Sequence, residues 1–165
     1  MTITKRILLI CAVLVCSVGC DQVTKSAAKA WLPRAEVWSY FGDTVRLQLT
    51  GNSGAFLSLG DSLPEGWRRG ILSIGVGGIL FGLLAYLLRK KPLDARTVLP
   101  LSLVIGGGIS NLIDRVLYDG YVVDFINVGI GPLRTGIFNI ADVAISTGVV
   151  WLLLGELRGK PDKQP

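Results

Sequence analysis

The chain has 165 residues, half of them hydrophobic and only 18% charged, and its mean hydropathy of +0.54 is that of a membrane protein rather than a soluble domain. Its formal charge of +5 comes from 17 basic and 12 acidic residues, and histidine is absent. Without an imidazole, Ser-His-Asp and Cys-His catalysis and His-ligated zinc are excluded, so acid–base chemistry near neutral pH falls to carboxylates, Lys, Tyr or Cys.

The first apolar run, residues 7–20, holds 14 residues and reaches membrane thickness only with its flanks, predicting a span over about 4–24. Its cysteines, Cys11, Cys16 and Cys20, form no C-x-x-C and read as small lipid- or helix-facing hydrophobes, with no disulfide or metal framework. Lys5-Arg6, the apolar run and Ser17-Val18-Gly19-Cys20 also have the layout of a signal peptide ending at a lipidated cysteine. Ser17 stands where such segments usually carry Leu, and a retained helix is the expectation.

A long loop, 25–69, follows. Within it residues 44–50 read TVRLQLT, with Val45, Leu47 and Leu49 alternating against Arg46 and Gln48, the period of a strand with one apolar face. Trp38, Tyr40 and Phe41 precede it, and together they predict a small sheet lying on the bilayer or over a site. An amphipathic loop with interfacial aromatics is the plainer alternative. Residues 70–88 then hold 19 residues without a charge, enough at about 1.5 Å each to cross a hydrocarbon core of about 30 Å. Residues 97–113 form a third span and 136–154 a fourth, whose single charge is Asp142. The expected fold class is an integral membrane α-helical protein: four transmembrane helices, a small extracytoplasmic β-sheet between helices 1 and 2, and one domain over 1–165. Loops 25–69 and 114–135 share a side. Nine Lys and Arg lie on the side of the termini and eight on the other, but the nine crowd into three short segments, which predicts cytoplasmic termini. Charge thus reports orientation and not nucleic acid binding.

Polar groups inside a membrane are costly, about 2.5–3.5 kcal/mol for a carboxylate near a helix centre, and so point to function. Counting from Gly136 places Asp142 about 9 Å below the outer end of the last span, with Asn139 one turn nearer the surface. By position alone Asp142 could be a structural hydrogen-bond partner, a proton relay or a catalytic group. Gly106-Gly107-Gly108-Ile109-Ser110-Asn111 leads into Asp114 and Arg115, and the glycines admit a close helix or substrate backbone. Adjacent Asp114 and Arg115 read most simply as an ion pair closing the helix. Asp21 and Lys25, four apart, read as a structural pair. Asp124 lies in the extended segment Tyr121-Val122-Val123-Asp124-Phe125, and Gly129, Gly131, Pro132 and Gly136 give the turns to fold it back toward Asp142. Two close carboxylates share one proton, the equipment of an aspartic protease.

Five segments in chain order resemble the lipoprotein signal peptidase (signal peptidase II) family: Asp21-Gln22-Val23-Thr24-Lys25; Asn52-Ser53-Gly54-Ala55-Phe56; Gly107-Gly108 through Asn111 to Asp114-Arg115; Val122-Val123-Asp124-Phe125; and Phe138-Asn139-Ile140-Ala141-Asp142. The resemblance implies four membrane helices with an extracytoplasmic β-cradle, catalytic Asp124 and Asp142, and removal of signal peptides from diacylglyceryl-modified prolipoproteins at the bacterial inner membrane. It makes Asn52, Gly54, Asn111, Arg115 and Asn139 substrate-side residues and gives Asp21, Lys25 and Asp114 supporting roles. The glycine-rich third span becomes a candidate wall for the signal-peptide helix. The second motif departs from the family in having Phe56 directly after a single alanine. No metal or cofactor is expected, the partners are prolipoproteins and membrane lipids, and a monomer is anticipated. Two rival readings remain: a small proton- or ion-coupled transporter using Asp142 and Asp114 as relay carboxylates, which would tolerate loss of Asp124, and a non-catalytic anchor lipidated at Cys20.

Overall fold

The computed structural model describes residues 1–53, 65–90 and 92–158. Helix α1 spans Ile3–Trp31, followed by strands β1 (Trp38–Tyr40) and β2 (Val45–Asn52). Helix α2 (Glu65–Gly70) runs through a π-helical turn, Ile71–Gly75, into α3 (Val76–Arg89), and α4 covers Ala95–Leu117. Strands β3 (Val122–Ile130) and β4 (Leu133–Arg134) lead to α5, Ile140–Arg158. Four segments are long and apolar enough to cross a membrane: Ile3–Trp31, Ile71–Arg89, Ala95–Leu117 and Ile140–Leu157.

Helix α4 is the hub. Its most apolar stretch is 56% buried, against 17% in α1 and 11% in the other two spans, and it touches α1, α3 and α5. Three successive glycines make this possible. A Cβ on Gly106 would lie 2.8 Å from the Ser17 Cβ of α1, one on Gly107 2.4 Å from the Ala141 carbonyl oxygen of α5, and one on Gly108 2.6 Å from Leu80 of α3. This corrects the idea that the glycines form an open wall for a substrate helix: each is already covered by a neighbouring helix, the small-residue packing that brings membrane helices together.

Helix boundaries differ from the apolar runs for two reasons. Helix α1 continues seven residues past the expected end because Asp21 and Lys25, which look like the end of a span, are buried against α4 and α5 rather than exposed. Helix α5 starts four residues late because Phe138 still belongs to the sheet, exchanging backbone hydrogen bonds with Ile126. At the other end of the bundle, Arg6 is buried and donates to the carbonyls of Lys90 (2.6 Å) and Leu88 (3.1 Å), satisfying orphan acceptors at the end of α3.

Both loops feed one antiparallel sheet in the order β1-β2-β3-β4. Its β2–β3 register runs Val45 opposite Val128 and Leu47 opposite Ile126, then slips by one, so that Thr50 faces Asp124 and Asn52 faces Val122. That bulge changes which residues of β2 share a face. Odd-numbered residues precede it, even-numbered ones follow it, and Asn52 arrives on the face that carries Asp124. Beneath the sheet, Ala28 and Leu32 of α1 pack with Phe125, joined by Leu47, Leu49, Ile126 and Ile140.

Candidate active site

Towards the C-terminal end of α1, a buried ammonium organises the site. Lys25 is 1% exposed and bridges Asp21 Oδ2 at 2.6 Å and Asp114 Oδ2 at 2.9 Å, while donating to Asn111 Oδ1 at 2.9 Å. All three of its N–H groups therefore have acceptors. Each carboxylate then reaches a different element. Asp114 accepts from Gln22 Nε2 (2.8 Å) and the Val123 backbone N–H (3.0 Å), tying β3 to α4. Asp21 accepts from Ser110 Oγ (2.7 Å) and the Ala141 backbone N–H (2.8 Å), an anion held at the N-terminus of α5.

Asn139 caps that same helix reciprocally with Asp142. The Asn139 side-chain oxygen accepts from the Asp142 N–H (2.9 Å), and the Asp142 carboxylate accepts from the Asn139 N–H (3.2 Å). Asp142 therefore lies in the first turn of α5, not about 9 Å down the helix as counting from Gly136 suggests. Asn139 is the cap and not a residue of the helix.

The second aspartate comes to the same place from the sheet. Asn139 Nδ2 donates to Asp124 Oδ1 at 2.6 Å, so one asparagine touches both carboxylates. Asn52 Nδ2 donates to Asp124 Oδ2 at 2.9 Å, a contact that depends on the β2 bulge. Asn111 Nδ2 donates to Asp142 Oδ1 at 2.9 Å, and its oxygen also accepts from Asn139 Nδ2 at 3.2 Å. Both aspartates are thus held by neutral amides. Asp124 is 1% exposed, and burial pushes its carboxyl up to about 6. The Asn52 and Asn139 donors pull it down, and negative charge on Asp142 pushes it up.

Asp114 does not close the helix end as the partner of Arg115, which corrects the simplest reading of that pair. Neighbours on a helix point about 100° apart. Asp114 turns to Lys25, Gln22 and Val123. Arg115 Nη1 approaches the Asn111 carbonyl oxygen at 3.5 Å. Gly54, with Ala55 and Phe56, lies outside the described residues. Gln22 and Ser110 are the partners that sequence reasoning left out; each is a polar residue in a helix otherwise read as apolar, and that was the available signal. Among the described residues no group of three His, Cys, Asp or Glu is placed to hold a metal.

Residues 13–158 match the family model for signal peptidase (SPase) II. A lipoprotein signal peptidase from Janthinobacterium sp. is 40% identical over 142 residues, covering 84% of this chain and 81% of the relative. One from Tolumonas auensis is 40% identical over 145 residues, covering 86% and 85%. A solved structure described as a bacterial membrane enzyme, obtained by the in meso method, superposes with a TM-score of 0.76 at 26% identity, covering 98% of this chain and 94% of the other.

Proposed function

Because the chain belongs to the signal peptidase II family, we propose that it cleaves signal peptides from diacylglyceryl-modified prolipoproteins, just before the lipidated cysteine, with Asp124 and Asp142 as the catalytic pair. The observation that carries this reading is the convergence of two buried carboxylates, one from a strand and one from a helix N-terminus, on a single asparagine. Their charges interact, so the pair ionises in two steps and passes through a singly protonated state.

In that state the ionised aspartate takes a proton from water as its oxygen attacks the scissile carbonyl carbon, and the protonated aspartate donates to the carbonyl oxygen. The tetrahedral species then collapses: the C=O re-forms as a hydroxyl proton passes to the ionised aspartate, the C–N bond breaks as the leaving nitrogen takes the proton held by the other aspartate, and the pair is left with the single proton it began with. Asn52, Asn111 and Asn139 hold the carboxylates, and the family resemblance adds Gly54 and Arg115 to them as substrate-side residues. Asp21, Lys25 and Asp114 support them, and residues 1–165 act as one membrane-embedded domain and as a monomer.

Placement follows from substrate chemistry. Acyl chains are retained in a bilayer by about 0.8 kcal/mol per buried CH₂, so a lipidated cysteine stays at the interface and the pair must meet it there. The site lies at the end of the bundle remote from Arg6 and Lys90, which supports a bacterial inner-membrane protein with cytoplasmic termini and an extracytoplasmic site. Exposed Phe41, Ile130 and Leu133, at one end of the sheet, suit a rim resting on lipid.

The test is cleavage of one prolipoprotein with and without its diacylglyceryl group by the purified protein. The modified form should be cut before the cysteine and the unmodified form at least tenfold more slowly. Equal cutting of both would mean the lipid is not read, and cutting of neither would remove the proposed activity.

A further inference from the structure

Within the catalytic reading above, on which this step rests, the geometry points to Lys25 as a positioning residue that acts on Asp142 through Asn111. A primary amide has two chemically opposite ends, and either can face a carboxylate or a carbonyl according to its surroundings. What settles the orientation is a neighbour that can only donate or only accept. Lys25 is such a neighbour: an ammonium donates and never accepts. With its Nζ 2.9 Å from the Asn111 oxygen, the flipped amide would set two donors against each other, so the Asn111 nitrogen must face Asp142 Oδ1, 2.9 Å away.

Asn139 is fixed by the same logic from another source. Its oxygen takes the Asp142 backbone N–H, another donor that cannot accept, and its nitrogen is left to face Asp124 and the Asn111 oxygen. The two asparagines thus run in one direction, and both catalytic carboxylates receive N–H donors at defined oxygens. Donors to a carboxylate favour its charged form. Lys25 therefore keeps Asp142 Oδ1 as an acceptor, although the ammonium itself never touches Asp142 or the substrate.

An ordinary ion pair would not need this arrangement. Asp21 and Asp114 already balance and saturate two of the ammonium's three N–H groups, and the third is spent on a neutral amide between the lysine and the reacting pair. Among the described residues, the charged groups around Asp142 are Asp21 and Lys25 from α1, Arg115 from α4, and Asp124 from β3. Asp114 faces the lysine from α4.

Lys25→Met alone strands two buried carboxylates and risks a misfolded protein. The informative variant is the double change Asp21→Asn with Lys25→Met, which removes one negative and one positive charge together. Cleavage of diacylglyceryl-prolipoprotein is followed against pH, beside Asp21→Asn alone and Asp142→Asn. The double variant should lose kcat by at least tenfold with KM within about twofold, and the acidic limb of its kcat profile should move up by about one pH unit. Asp21→Asn, which keeps the ammonium on Asn111 and removes a negative charge near Asp142, should lower thermal stability and move the limb down rather than up. A double variant with the wild-type limb, or the same shift in Asp21→Asn, would overturn the role of Lys25. Cleavage by Asp142→Asn at the wild-type rate would instead overturn the catalytic reading beneath it.

Discussion

Two pairs of aspartates lie side by side at one end of this bundle, and they are built on opposite principles. Asp21 and Asp114 have an ammonium between them; Asp124 and Asp142 have asparagine amides. A cation between two carboxylates turns them into a clamp, here joining α1 to α5 and to β3. Neutral amides orient carboxylates without cancelling their charge, so the second pair keeps its mutual repulsion. Burial alone does not separate the two, since Asp21, Asp114 and Asp124 are all 1% exposed or less. In the function proposed above, the partner decides which pair is structural and which is reactive.

The largest effect expected from breaking this contrast is on rate. Asp124→Asn or Asp142→Asn should each lower the cleavage rate by about three orders of magnitude or more, since each removes one half of the acid–base exchange. On the clamp side the effect is on stability: Asp114→Leu strands the ammonium on one carboxylate and frees the Val123 N–H, and should cost about 3–5 kcal/mol by thermal unfolding in detergent.

A smaller effect, of opposite sign, sharpens the comparison. The Asp124 carboxyl is raised from 3.8 to about 6 in the folded protein. A carboxyl raised by folding favours the folded state while protonated, an advantage present below about 4 and lost as pH rises through about 6. Above that, ionised Asp124 is a cost. Asp124→Asn should therefore be more stable than the wild type at pH 7.5, by up to about 3 kcal/mol, with the gain fading toward pH 4. Equal unfolding temperatures at both pH values would contradict it. The smallest change concerns the hub: Gly107→Ala puts a methyl 2.4 Å from the Ala141 carbonyl oxygen, displacing the start of α5 and costing about 1–3 kcal/mol.

Much of this was legible in the chain itself. Apolar runs located all four spans, and alternation in residues 44–50 located β2, because both signals are local. The clamp was not legible, because Lys25 meets Asn111 and Asp114 nearly ninety positions away, and in sequence it resembles an ordinary helix pair with Asp21. The slip between Leu47 and Thr50 left the alternation intact and yet decides where Asn52 points. Asn139 looked like a residue inside the last span because Gly136 opens the apolar run. Only the sheet's hold on Phe138 makes it a cap.

The central claim is that one aspartate pair is reactive and its neighbour structural, and the direct measurement is the cleavage rate per folded molecule of Asp124→Asn beside Asp114→Asn. Both remove one carboxylate from a buried pair. Asp124→Asn should be folded and inactive, down by about three orders of magnitude, and Asp114→Asn destabilised, with a folded fraction that cleaves within about tenfold of the wild type. Equal losses in the two variants, or cleavage by Asp124→Asn, would contradict it.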